Sequence, residues 1–138
     1  MVDENSRWVK SWERINKEEL LEKYAKGIRN FEDVILKDAD LSGANLKGIG
    51  FIGSKITEVK FRGADLKDAN FSFTLITNVD FSEADLSFAN FKNANLIKVN
   101  LSGANLKNTV LDGTYLWHSN YNVVDLSHAL IHNIFVTD

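Results

Sequence analysis

Three histidines, His118, His128 and His132, lie close together near the end of the chain. On a helix, His128 and His132 would share a face, and two imidazoles four apart are the start of a zinc site. Carboxylates and carboxamides recur as well: Asn45, Asp65, Asp85, Asn105 and Asp125 stand twenty residues apart. Carboxylates can do general acid–base work where a cleft shifts their pKa values. Gly43, Gly63 and Gly103 would suit a phosphate loop if they clustered. Lys47, Lys67 and Lys107 form a column of the kind that could line a phosphate groove. Which of these chemistries is available depends on the elements that carry the residues.

Those elements follow a period of five. Every fifth residue from Phe31 to Val136 is large and apolar, with Tyr121 the one hydroxyl. Two residues before each of these centres lies a second series, mostly Ala and Val with a few Ile, Thr and Ser, and once Arg29. A helix repeats every 3.6 residues and a strand every 2, so neither alone fits. A longer period of twenty is superimposed: "SGANLKG" at 42–48, "RGADLKD" at 62–68, "SEADLSF" at 82–88 and "SGANLKN" at 102–108. Leu46, Leu66, Leu86, Leu106 and Leu126 are all leucine, and Phe31, Phe51, Phe71 and Phe91 are all phenylalanine. Four five-residue sides per turn superimpose these residues, which describes a solenoid of stacked coils.

The run A(D/N)LxxAxLxx resembles the consensus of the pentapeptide-repeat family, and the resemblance covers residues 29–138. It implies an all-β solenoid, a right-handed quadrilateral β-helix of about five and a half coils. At the ~4.8 Å spacing of strands, such a prism is roughly 26 Å tall. The chain then divides into an N-terminal helical cap, 1–28, and the repeat solenoid, 29–138.

In this frame the candidate chemistry disperses. The histidines fall at different offsets and sides, so convergent metal ligation is not expected. The Asn and Asp columns can bond neighbouring backbone at the corners. The glycines occur singly, as turn residues. The lysine column lies beside Asp65 and Asp85 on a mixed-charge face. A solenoid filled by its own side chains leaves no pocket of ligand size, and the carboxylates are expected on flat outer faces. The reading is of a protein without catalytic residues, metal or cofactor.

Composition narrows the class further. There are no cysteines, so disulfides and thiolate metal sites are excluded. The absence of proline leaves a hydrogen-bonded ladder unobstructed. The net charge of −3 lacks the positive field of a nucleic-acid binder, and direct nucleic-acid binding is not expected. No apolar run reaches membrane-spanning length, and the opening "MVDENSRWVKSW" is unlike a signal peptide, which together place the protein in the cytoplasm.

A solenoid must cover its ends. At the N-terminal end, Asn16 followed by Glu19 reads as a capping box, with Ile15 and Leu20 as a hydrophobic staple and Gly27 as a stop. A helix over 17–26 is expected to lay Leu20, Leu21 and Tyr24 over the first coil. "SRWVKSW" reads as one or two further helical turns, adding Trp8, Val9 and Trp12 to the cap.

At the other end, outward positions that carry Asn, Asp, Lys and Ser elsewhere carry Val110, Tyr115, Trp117, Val123, Leu130 and Phe135. Tyr115 and Phe135 share a column, in which Ile35 and Leu75 sit lower, interrupted by Lys55 and Asn95. Such an apolar patch marks an interface. Tyr115, Trp117, Leu130 and Phe135 are the candidate contact residues, and the resemblance implies a two-fold homodimer through the C-terminal coil.

The functional expectation is a rigid, non-catalytic protein-interaction module. The family supplies an alternative, a DNA-mimicking modulator or protector of a type II topoisomerase. Mimicry of phosphates needs a strongly negative surface. The repeat region has only ten basic and thirteen acidic residues.

Overall fold

The structure, a computed structural model, describes residues 12–119 and 126–137. The twenty-residue period becomes vertical stacking. Seven short parallel strands form one sheet in chain order: β1 (Glu13–Arg14), β2 (Val34–Lys37), β3 (Lys55–Thr57), β4 (Leu75–Thr77), β5 (Asn95–Ile97), β6 (Thr114–Trp117) and β7 (Ile134–Thr137). From β2 to β7 each register pair is twenty residues apart, as in Leu36↔Ile56 and Leu116↔Val136. Isolated bridges at the same spacing tie the other three sides, for example Asp65↔Asp85 and Asn70↔Asn90. The result is a parallel β-solenoid of about six turns. It exceeds the expected five and a half because β1 starts a turn below the first repeat.

The centre residues fill the tube. Phe51, Phe61, Phe71, Phe81 and Phe91 are fully buried, as are Leu36, Leu46, Ile56 and Leu66. Phe71 stacks on Phe91 at 4.9 Å and on Phe51 at 5.7 Å, and meets Phe61 and Phe81 edge-on. Offset stacks and edge contacts are the favoured arrangements of aromatic quadrupoles. The hydroxyls of the second series reach between coils. Ser54, Thr74, Thr109, Thr114 and Ser119 each donate to the carbonyl 23 residues earlier, at 2.7–3.2 Å. These otherwise costly buried donors are thereby satisfied.

At the corners, Asn and Asp accept from the backbone two residues on. Asp65 Oδ1 accepts from the Lys67 amide at 3.1 Å, and Asp85 Oδ1 from the Ser87 amide at 3.0 Å and from its hydroxyl at 2.6 Å. Burial opposes the charge on Asp85, but the Ser87 bonds and Lys67, 3.6 Å away, outweigh it and hold the carboxyl below its ordinary value. Each corner also needs a left-handed residue. Gly43, Gly63 and Gly103 supply it with φ of 69°, 66° and 69°. Elsewhere in the frame Asp, Asn, Glu, Lys, His and, at two corners, Phe take the same conformation.

The N-terminal end is closed by α1 (Lys17–Ala25). Asn16 Oδ1 accepts from the Glu19 amide at 2.8 Å, and Gly27 follows with φ 96°. Glu22 and Lys26 pair at 3.0 Å, one turn apart. Leu20 is fully buried, and Leu21 and Tyr24 pack partly buried on the core. The chain before the helix departs from the sequence reading. Trp12 is not in a helical turn. It leads into β1, whose Arg14 pairs with Ile35 and whose successor Ile15 donates to the Ile35 carbonyl at 3.0 Å. Ile15 therefore sits, buried, at the foot of the Leu36 column. An unpaired β2 edge is a stronger local demand than one more turn of a short helix. Trp8, Val9 and Val123 lie outside the described residues.

Candidate interaction surface

The C-terminal coil places the outward aromatics on one flat side. Tyr115 and Trp117 alternate with buried Thr114 and Leu116 on β6, so both point outward from the sheet. Phe135 on β7 lies in register over Tyr115. The Tyr115 and Phe135 rings stack at 4.5 Å and 15°, and the Tyr115 and Trp117 rings lie at 6.3 Å and 14°. Three nearly parallel rings, each more than a third exposed, form a tile. Leu130 does not join it. It bridges Val110 on the preceding side of the prism and is half exposed there. The last described coil is less buried than those before it. Ile131, Ile134 and Leu126 are only partly buried, and Val136, a centre residue, is 40% exposed.

The N-terminal residues make a different surface. Trp12 lies on the sheet side with Lys55 Nζ 3.8 Å from its ring centroid, and its indole N–H donates to the Gly53 carbonyl at 3.1 Å. Tyr24 donates its hydroxyl to the Lys47 carbonyl at 2.7 Å. The Arg29 guanidinium stands 3.6 Å over the Tyr24 ring, so the one large residue of the second series turns outward and locks the helix end. Leu20, Leu21 and Tyr24 are committed to the core, and Trp12 to the lower sheet side.

Two exposed aromatics escaped the sequence reading. Phe73 and Phe88 are 62% and 57% exposed at corner positions with φ of 57° and 61°. Bulky side chains avoid this conformation. The signal was in the frame, since both fall two residues after a centre, where Gly, Asn and Asp prevail.

The outer surface is less flat than expected. An open groove of about 480 Å³ runs along the corner after the sheet side, over Ala39 and Val59, with Asp38, Asp40, Glu58 and Asp80 on its walls and Lys60 among them. The left-handed Asp38 and Glu58 project outward and leave small residues as a floor. Hydrogen bonds from the Ser42 hydroxyl and amide hold the Asp40 carboxyl below its ordinary value. That favours a charged acceptor over a general acid. A smaller hollow of about 180 Å³ lies between α1 and the first coil, lined partly by Arg14, Ile15, Lys23 and Phe31. Among the described residues no group of His, Cys, Asp or Glu converges as a metal site, and no helix is long and apolar enough to cross a membrane. His118 sits at a corner, and His128 Nδ1 is 3.0 Å from the Ser127 hydroxyl.

The sequence matches the model of the family described as pentapeptide repeats, in eight copies over residues 35–72 and 74–113. No curated protein matches it. Among solved structures, it is similar to QnrB1, a plasmid-mediated fluoroquinolone resistance protein (TM-score 0.70, 26% identity, 76% of this chain and 51% of that one). It is similar to HetL, involved in heterocyst differentiation regulation in Nostoc sp. strain PCC 7120 (TM-score 0.51, 31% identity, 77% and 49%). A protein of the Arabidopsis thaliana thylakoid lumen is also similar (TM-score 0.52, 26% identity, 62% and 63%). The chain thus spans less than two thirds of each of these proteins. With more than half of its residues matched by the family and its coils stacked at the family's spacing, the chain belongs to the pentapeptide repeat family.

Proposed function

We propose that this protein is a rigid, non-catalytic interaction module that works in the cytoplasm, with the segment up to residue 28 as its cap and its C-terminal coil as its contact end. The observation that carries the reading is the apolar surface of the C-terminal coil, where the stacked Tyr115 and Phe135 rings lie beside exposed Val136 and Leu130. Exposed apolar surface of this kind is what a protein covers with a partner. A second copy is the partner of first choice, because a two-fold contact lets each C-terminal coil cover the other. The interior supports a non-catalytic role, since among the described residues phenylalanine, leucine and isoleucine fill it. Light scattering of the Phe135→Asp variant tests the contact. The mass should fall from two chains to one, and an unchanged mass would retire the dimer.

The likeness to a fluoroquinolone resistance protein favours a second reading, modulation or protection of a type II topoisomerase by imitation of DNA. Opposing it, lysines and arginines interrupt the carboxylates, as in the Lys67–Asp85 and Arg62–Glu83 pairs. A gyrase supercoiling assay with and without quinolone separates the two. Salt-sensitive inhibition or drug rescue supports mimicry, and no effect at micromolar protein supports the interaction module alone.

A further inference from the structure

The sheet side carries a stripe that extends well below the C-terminal coil. From β4 upward, its outward positions hold Leu75, Ile97, Tyr115, Trp117 and Phe135 alternating with Thr and Asn, and none is charged. Ile97 lies directly beneath Trp117 in the register, so the apolar surface continues from one strand to the next. Phe73 adds to the lower end. It occupies the corner that leads into β4, 62% exposed and in a left-handed conformation that Asn93 and Gly113 fill in the coils above. Strain combined with an exposed ring gives the fold nothing, and such features collect where a ligand is held.

The rims of the stripe differ from its floor. Lys92 and Lys98 are exposed on the two corners flanking β5, and His132 and His118 are exposed on the corners before β7 and after β6. Asp112, on the corner before β6, accepts from the Asn133 amide at 3.3 Å, and Asp80 lies lower, on the corner after β4. Around β5 the uncharged floor has a lysine on each rim, which repels a copy of itself laid face to face and attracts a partner with acidic flanks. From β4 to β7 the stripe is three strand spacings long, or ~14 Å, which matches roughly nine residues of helix.

We propose that this side of the solenoid is a docking site for an amphipathic helix of a partner protein, with an apolar face on Ile97, Trp117 and Leu75 and carboxylates toward Lys92 and Lys98. The proposal rests on the interaction-module reading but uses the lower part of this side, Leu75, Ile97 and Trp117, whereas the second-copy contact uses Phe135 and the rest of the C-terminal coil.

Two synthetic amphipathic peptides of equal length and identical apolar face test it, one with glutamate at every other position and one with lysine, titrated against the full chain by fluorescence anisotropy. The acidic peptide should bind saturably and more weakly as salt rises, and the basic peptide should not. Ile97→Glu should weaken the acidic peptide by about tenfold or more without altering the solution mass. Phe73→Asn, which places at this corner the residue found one coil above, should fold as well as the parent and still lose affinity. Equal binding of both peptides, no binding of either, or indifference to Ile97→Glu overturns the proposal. So does a mass change caused by Ile97→Glu, since that would put a second copy on the stripe. Failure of the Phe135→Asp test leaves these readouts intact, so the two ideas fall separately.

Discussion

Six buried phenylalanines share almost the same burial but not the same number of ring neighbours, and that difference can be measured. Phe71 contacts Phe51, Phe61, Phe81 and Phe91, with centroids 5.7, 6.3, 5.6 and 4.9 Å away. Phe31 contacts only Phe51, at 6.1 Å and a 35° tilt. Phe51 has two ring neighbours, Phe31 and Phe71, and is fully buried. Replacement by leucine is a mild perturbation, because the same column already contains Leu111. The loss of transferred area is therefore similar at each site, and what differs is ring–ring energy. At ~0.5–1.5 kcal/mol per pair, three additional pairs make Phe71→Leu costlier than Phe31→Leu by about 2 kcal/mol or more. Phe51→Leu should fall between them. Urea unfolding followed by circular dichroism reads the order, and a gap of that size moves the midpoint by about 1 M. Phe51 also serves as a control for end fraying, because fraying of the first coil lowers the apparent cost at Phe31 whatever its contacts. If all three variants shift the midpoint equally, ring stacking contributes nothing beyond burial, and the aromatic ladder is only a convenient filling.

Two other perturbations probe the corners. Phe88→Asn should raise stability by about 0.5–1 kcal/mol, since asparagine tolerates the left-handed backbone and Asn108 already holds it one coil above at φ 57°. A melting temperature below that of the parent would show that the ring packs on its corner more than its exposure suggests. Asp85→Asn probes charge. The folded carboxyl lies below its ordinary value of 3.8, so its ionised form stabilises the fold above that value, and the contribution is lost as pH falls through the lowered folded value. The parent should therefore be more stable than Asp85→Asn at pH 6, with the gap closing toward pH 3. A gap independent of pH would mean that the carboxamide makes the same bonds equally well.

The repeat and its interior were legible in the sequence because they are statements about side chains that face one another. A strict five-residue rhythm forces inward columns, and Phe51, Phe71 and Leu46 could be placed before any coordinates. The inward Ser and Thr were visible as exceptions, but their bonds to carbonyls 23 residues away follow only once coils stack. What escaped was set by backbone alone. Trp12 and Ile15 read as part of a helical entry, yet they serve an edge strand, because the demand of β2 for a pairing partner has no local signature. Similarly, Leu130 looked equivalent to Phe135 as an outward apolar residue. Five residues in this frame mean a different side of the prism, and the structure separates them.

Solenoid geometry also decides where function can reside. In a globular enzyme, loops gather side chains from distant elements around one concavity. Here each coil repeats the one below, so a residue's neighbours are those twenty positions away and on the adjoining corners. Chemistry that needs three unlike groups to converge has no natural seat in such a lattice, whereas a surface that needs the same kind of residue repeated at a strand spacing is easily built. The charge-free stripe from Leu75 to Phe135 is of the second kind. Its rigidity comes from the buried Ile76, Leu96 and Leu116 directly behind it, packed in turn against the phenylalanine columns, so the filled interior also holds the docking residues fixed in register, and a partner loses little free energy in ordering them.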